Sequence, residues 1–86
     1  MSLKIDELKK KIIYRSLYRG SKEMDIILSS FVKENIDKFN KNELENLYDF
    51  LKLDDDILYK YKNGLEIKKK VPENKISKLF KKFNIN

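Results

Sequence analysis

Apolar residues three and four positions apart run through this chain from one end to the other, and that spacing fits helices and little else. The pattern is strongest over Met24, Ile27, Leu28, Phe31 and Val32, continuing to Ile36 and Phe39, which form one stripe of an amphipathic helix. No segment alternates with the two-residue period of a half-buried strand. A chain of 86 residues holds one domain, and at this size only about 60% of the unfolded surface is buried, so the core is thin. The expected fold is all-α: a small five-helix bundle whose short connections set mostly antiparallel neighbouring helices.

The periodicity and its punctuation place the five segments. A first helix is expected from about Leu3 to Tyr18, with Ile5, Leu8, Ile12, Ile13 and Leu17 on one face, Ser2 as cap, and Asp6 and Glu7 near the positive end of its dipole. Gly20 stands where a helix-terminating residue is usual. A second helix follows from about Ser21 to Asp37. Asn40 or Asn42 caps a third, from about Lys41 to Leu53, with Glu43 placed for a capping box and Leu44, Leu47, Tyr48 and Leu51 as the buried stripe. Asp54 to Asp56 are suited to the cap and first turn of a short fourth helix, carrying Ile57, Leu58 and Tyr61 and ending at Gly64. Residues 65–71 read as a basic connection, and Pro72 at a first helical turn opens a last helix over 72–84 with Ile76, Leu79, Phe80 and Phe83 on one side. Phe31, Phe39, Tyr48, Phe50 and Phe80 are expected in the core.

Composition removes whole classes of chemistry. There is no histidine and no cysteine, so the usual general base, the commonest transition-metal ligands and the thiolate nucleophile are absent. No stretch nears the roughly 20 apolar residues of a membrane span, and the first residues do not read as a secretory signal, so a cytoplasmic location or its equivalent is expected. The net charge of +6 is divided as +4 over residues 1–20, −2 over 21–53 and +4 over 54–86. Eighteen of the twenty basic residues are lysine, beside ten isoleucines and eight asparagines, the mark of an AT-rich coding bias as much as of phosphate binding. Lys68 to Lys70 read as a solvated linker that adds weak electrostatic steering.

One cluster departs from this background. The only arginines are Arg15 and Arg19 and the only glycines Gly20 and Gly64, so three of these four fall within six residues. In a chain that otherwise uses lysine, arginine points to a need for the planar guanidinium and its bidentate grip. The segment Arg19-Gly20-Ser21-Lys22-Glu23, with Asp25 beyond, lies at the corner between the first two helices. Two readings fit it. In one, Arg19 pairs within the chain to Glu23 or Asp25 at a simple helix corner; in the other, Gly20 lets a partner's backbone approach while Arg19 and Glu23 anchor it. The two are compatible.

These residues carry a resemblance. Over about residues 11–64 the chain resembles the FAD assembly factors of succinate dehydrogenase, called SdhE in bacteria and succinate dehydrogenase assembly factor 2 in mitochondria. The RGxxE motif of that family is matched by Arg19, Gly20 and Glu23, followed by Met24 and Asp25. Arg15 matches a frequent upstream arginine, Phe31 an aromatic of the second helix, and Phe50, Leu51, Asp55, Leu58 and Tyr61 the pattern LLxxxDxxLxxW, with Gly64 shortly after. The chain departs from the family at Tyr61, where tryptophan is usual, at Tyr18, where a second arginine is common, and at Leu17, where an aromatic is common.

The resemblance implies a five-helix bundle that binds the flavoprotein subunit of succinate dehydrogenase, or of the related fumarate reductase, and promotes covalent attachment of FAD to it. It implies a partner-binding face of Arg15, Arg19, Gly20, Glu23, Asp25, Asp55 and Tyr61, no cofactor held stably by this chain, and a cytoplasmic or mitochondrial-matrix location. The alternative is a small basic nucleic-acid-binding domain, against which stand Glu23, Asp25, Glu34 and Asp37 on the best-patterned helix. A lone Glu23 or Asp25 as general base lacks a catalytic partner, and the run Asp54 to Asp56 lacks further ligands at the spacing a divalent cation needs.

Overall fold

The computed structural model describes residues 2–17, 19, 21–67 and 71–84. Their regular structure is helical: α1 (Ser2–Leu17), α2 (Lys22–Asn35), a 3₁₀ turn (Ile36–Lys38), α3 (Lys41–Phe50), α4 (Asp55–Lys62) and α5 (Lys75–Lys82). Among the described residues there is no strand, and no helix is long and apolar enough to cross a membrane. α1 packs on α2 and α3, and α5 packs on α3 and α4.

Each helix end has a local cause, and several differ from expectation. Ser21 lies outside α2 as its N-cap, accepting from the Met24 N–H at 3.4 Å. α2 stops at Asn35, two residues earlier than the spacing suggests, where the Asn35 side chain takes the Phe31 carbonyl at 2.9 Å and the backbone tightens into the 3₁₀ turn. α3 opens on the full capping box between Asn40 and Glu43. It ends at Phe50 instead of Leu53 because Lys52 and Leu53 bond three residues back, to the Asp49 and Phe50 carbonyls. Asp54 occupies the N-cap position of α4 without a side-chain capping bond. α4 closes as expected at Gly64, which adopts φ 70 while the Leu65 N–H reaches back to the Lys60 carbonyl at 2.8 Å. Pro72 does not open α5. That role falls to Asn74, whose side chain and that of Ser77 exchange bonds with each other's backbone N–H in a second capping box.

The core lies where α2, α3 and α5 meet. Leu28, Phe31, Leu44, Leu47, Leu51, Leu58, Ile76 and Phe80 are fully buried. Phe80 stands edge-on to Phe31 (centroids 5.4 Å apart) and to Phe50 (5.2 Å), and Phe83 stands edge-on to Phe31 at 5.4 Å, so the last helix supplies rings to a cluster started by α2 and α3. Tyr48, expected in the core, is only half buried. On α1 the inward face is Ile5, Leu8, Ile12 and Ser16, with the Ser16 hydroxyl donating to the Ile13 carbonyl at 2.7 Å. Ile13 and Leu17 point outward, at 43% and 45% exposed, because the stripe follows Ile12 and Ser16 one turn apart. The Ser2 cap, the Tyr18 end of the first helix and the Lys68 to Lys70 linker lie outside the described side chains and residues.

Two ties hold α5 in place. Lys75 pairs with Glu43 at 2.9 Å, and the hydrogen bond from the Asn40 backbone N–H, with the Lys75 ammonium second, holds the Glu43 carboxyl below its ordinary pKa. From α4, Lys62 donates to the Phe80 and Phe83 carbonyls at the end of α5, a position whose desolvation pulls its ammonium below the usual lysine range. The bundle therefore depends on its last helix. Replacing Phe80 with alanine empties the ring cluster and is expected to cost about 3 to 5 kcal/mol, read as a large fall in the urea midpoint.

Candidate functional site

The corner between α1 and α2 is fastened to the corner between α3 and α4 by one side chain. The early end of α3 leaves the Leu51 and Leu53 carbonyls without helical partners, and the Arg19 guanidinium takes both, Nη1 to Leu51 at 2.5 Å and Nη2 to Leu53 at 2.6 Å. Its Nε donates to Asp55 Oδ1 at 2.7 Å. A guanidinium suits this place because its fixed fork of donors serves two carbonyls and a carboxylate at once, which an ammonium on a flexible stem does not. The ion pair is largely withdrawn from water, with the Arg19 side chain 9% and that of Asp55 20% exposed.

The backbone on either side of residue 20 is pinned as well. The Arg19 N–H donates to Asp25 Oδ1 at 2.7 Å, and the Ser21 N–H donates to Asp55 Oδ2 at 3.2 Å. Asp25 and Asp55, in the first turns of α2 and α4, thus reach across the corners and fix the chain immediately before and after Gly20. Gly20 itself lies outside the described residues. The reading in which Arg19 pairs within the chain named Glu23 or Asp25 as its partner. The structure gives Asp25 the backbone N–H and gives the guanidinium to Asp55, 36 positions away in the chain.

Glu23 behaves differently. It is exposed in the first turn of α2, and among the described residues its carboxylate has no hydrogen bond or ion pair. Arg15 is also exposed, its guanidinium 5.3 Å from the Tyr48 ring centroid. The Arg15 guanidinium beside it, with Lys11 and Lys52 nearby, holds the Tyr48 hydroxyl below the ordinary tyrosine range. Tyr61 lies elsewhere, half buried on α4 beneath Lys81 of α5, so it does not join Arg19, Asp25 and Asp55. The sequence did not single out Leu51 and Leu53 as carbonyl acceptors or Ser21 as an N–H donor, because backbone groups leave no mark in residue type. It left Tyr48 in the core for the opposite reason, its stripe position being compatible with burial. Among the described residues no group of acidic side chains is arranged to hold a metal ion.

Residues 10–84 match the family model described as "Flavinator of succinate dehydrogenase". The chain belongs to this family. Two proteins described as "Succinate dehydrogenase assembly factor 2, mitochondrial" are similar to it. That of Saccharomyces cerevisiae is 42% identical over 57 residues, covering 64% of this chain and 35% of the relative. That of Arabidopsis thaliana is 33% identical over 51 residues, covering 59% and 27%. The chain spans about a third of the length of the curated relatives it matches. No solved structure matches it. The stretch matched by the flavinator family contains both corners and all of α2 to α5.

A division of labour at the first corner follows from the geometry. Arg19→Ala strands two carbonyls and a carboxylate and is expected to destabilise the fold by about 2 to 4 kcal/mol, with Arg19→Lys restoring less than half. Glu23→Ala is expected to stay within about 0.5 kcal/mol of the parent. Urea unfolding of the three variants reads both effects.

Proposed function

We propose that this chain is an assembly factor that binds the flavoprotein subunit of succinate dehydrogenase, or of the related fumarate reductase, and promotes its covalent flavinylation with FAD without catalysing bond formation itself. Membership of the flavinator family carries this reading. The absence of histidine and cysteine supports the helper role, since the chain lacks the side chains that ordinarily hold a flavin covalently or act as bases at neutral pH. FAD is then held by the partner, and no cofactor stays with this chain.

The corner supports a means of docking. Arg19, Asp25 and Asp55 hold the chain on both sides of Gly20 in one conformation, so little ordering remains to be done on binding. Gly20 offers close approach to a partner backbone, and Glu23, exposed and unpaired among the described residues, is the directional anchor beside it. Arg19, Asp25 and Asp55 serve the interface by shaping it, and Arg15 extends it along α1, whereas Tyr61 stands apart from this corner. The factor promotes attachment by binding an arrangement of the immature subunit in which flavin and acceptor are aligned, which requires that it prefer this arrangement to the finished one. The site of action is the compartment where that subunit matures, the cytoplasm or the mitochondrial matrix.

The test is reconstitution of the apo flavoprotein subunit with FAD, with and without this chain, read by in-gel flavin fluorescence and co-purification. Covalent flavin is expected to rise with the chain present. Gly20→Trp is expected to abolish both the rise and the complex while circular dichroism shows the helices retained. Equal covalent flavin in both samples would contradict the proposal.

A further inference from the structure

A concavity of about 580 Å³ opens beside the corner, between α1 and α3, lined by Lys10, Lys11, Tyr14, Arg15, Arg19 and Tyr48. Its chemistry is one-sided. No carboxylate is among these lining residues. Arg19 is matched by Asp55, but Lys10, Lys11 and Arg15 have no ion pair among the described residues. Lys52, in the turn that follows α3, brings a further ammonium to 4.9 Å from the same ring, although it also pairs with Asp49 at 3.3 Å. Cations therefore gather around two tyrosines without a full set of internal counter-charges. Tyr14 is 65% exposed.

The spacing selects among anions. Lys10 and Tyr14, and Lys11 and Arg15, are pairs one helical turn apart, giving two rows in which successive side chains rise about 6 Å. An extended peptide offers side chains on one edge at nearly the same interval, about 6.6 Å. A nucleic acid is typically gripped through many phosphates along a longer positive stripe than these few cations offer. Tyrosine and arginine are also the residues most enriched where proteins meet proteins.

We propose that this trough seats an acidic segment of the protein partner, whose carboxylates are received by Arg15, Lys10 and Lys11 and whose aliphatic stems lie on the rings of Tyr14 and Tyr48. The identity of that partner rests on the function proposed above; the chemistry of the trough does not. The segment would dock beside the Gly20 corner, adding charge recognition to a surface that otherwise offers a close backbone approach and one glutamate.

The experiment has two arms. In the first, the isotopically labelled chain is titrated with a capped peptide of alternating glutamate and alanine and, separately, with inorganic phosphate, and amide shifts are followed by NMR. Shifts are expected to centre on residues 10–15 and 48–52 with the peptide, and the Lys11→Glu/Arg15→Glu variant is expected to lose about tenfold or more in peptide affinity. Shifts spread equally over the lysines of α5, or equal shifts with phosphate at the same concentration, overturn the inference. In the second arm, association with the isolated flavoprotein subunit is compared for the parent and the double variant, and a tenfold or greater loss is again expected. Unchanged association by the variant overturns the inference, whereas failure of the parent itself to associate overturns the partner and leaves the peptide arm to decide the trough. Arg15→Gln replaces the double variant should circular dichroism show lost helicity.

Discussion

The guanidinium of Arg19 sets the relation between the two halves of this molecule. A short α3 must end with unpaired carbonyls, and a corner between α1 and α2 must be held against the loss of chain entropy that any fixed loop entails. One side chain answers both needs by bonding the Leu51 and Leu53 carbonyls and Asp55 from the far corner. Lys62 does the corresponding service at the end of α5. In a domain with so thin a core, cations that close helix ends in other parts of the chain supply order that apolar burial alone does not.

This arrangement changes the meaning of the Arg19-Gly20-Glu23 cluster. Read as sequence, its charged members look equivalent, two polar anchors around a glycine. In the structure they face opposite ways: Arg19 is turned into the fold with Asp55 while Glu23 stands in water. A motif of this kind can be required for function through two different physical routes, one residue building the surface and another touching the partner. A loss of activity on changing Arg19 therefore does not by itself identify a contact.

What was legible in the sequence was whatever depends on local periodicity and local caps. The helices, the Asn40 and Glu43 box and the Gly64 terminator were readable because their partners lie within a few residues. The errors have separate causes. Pro72 looked like a helix start because its fixed φ suits one, yet the reciprocal bonds of Asn74 and Ser77 are stronger local determinants. Ile13 and Leu17 looked buried because apolar spacing does not say which of two overlapping stripes meets a neighbour, and the neighbour takes Ile12 and Ser16. The Arg19 to Asp55 pair, 36 positions apart, was invisible to any local rule, although the rarity of arginine drew attention to the correct residue.

The central claim is that Arg19 and Asp55 act as a unit that joins the two corners, and a double-mutant cycle in urea unfolding tests it most directly. With Arg19→Ala, Asp55→Ala and the double variant compared with the parent, a favourable coupling of about 1 to 3 kcal/mol is predicted. Additive effects, with coupling indistinguishable from zero, would contradict the account.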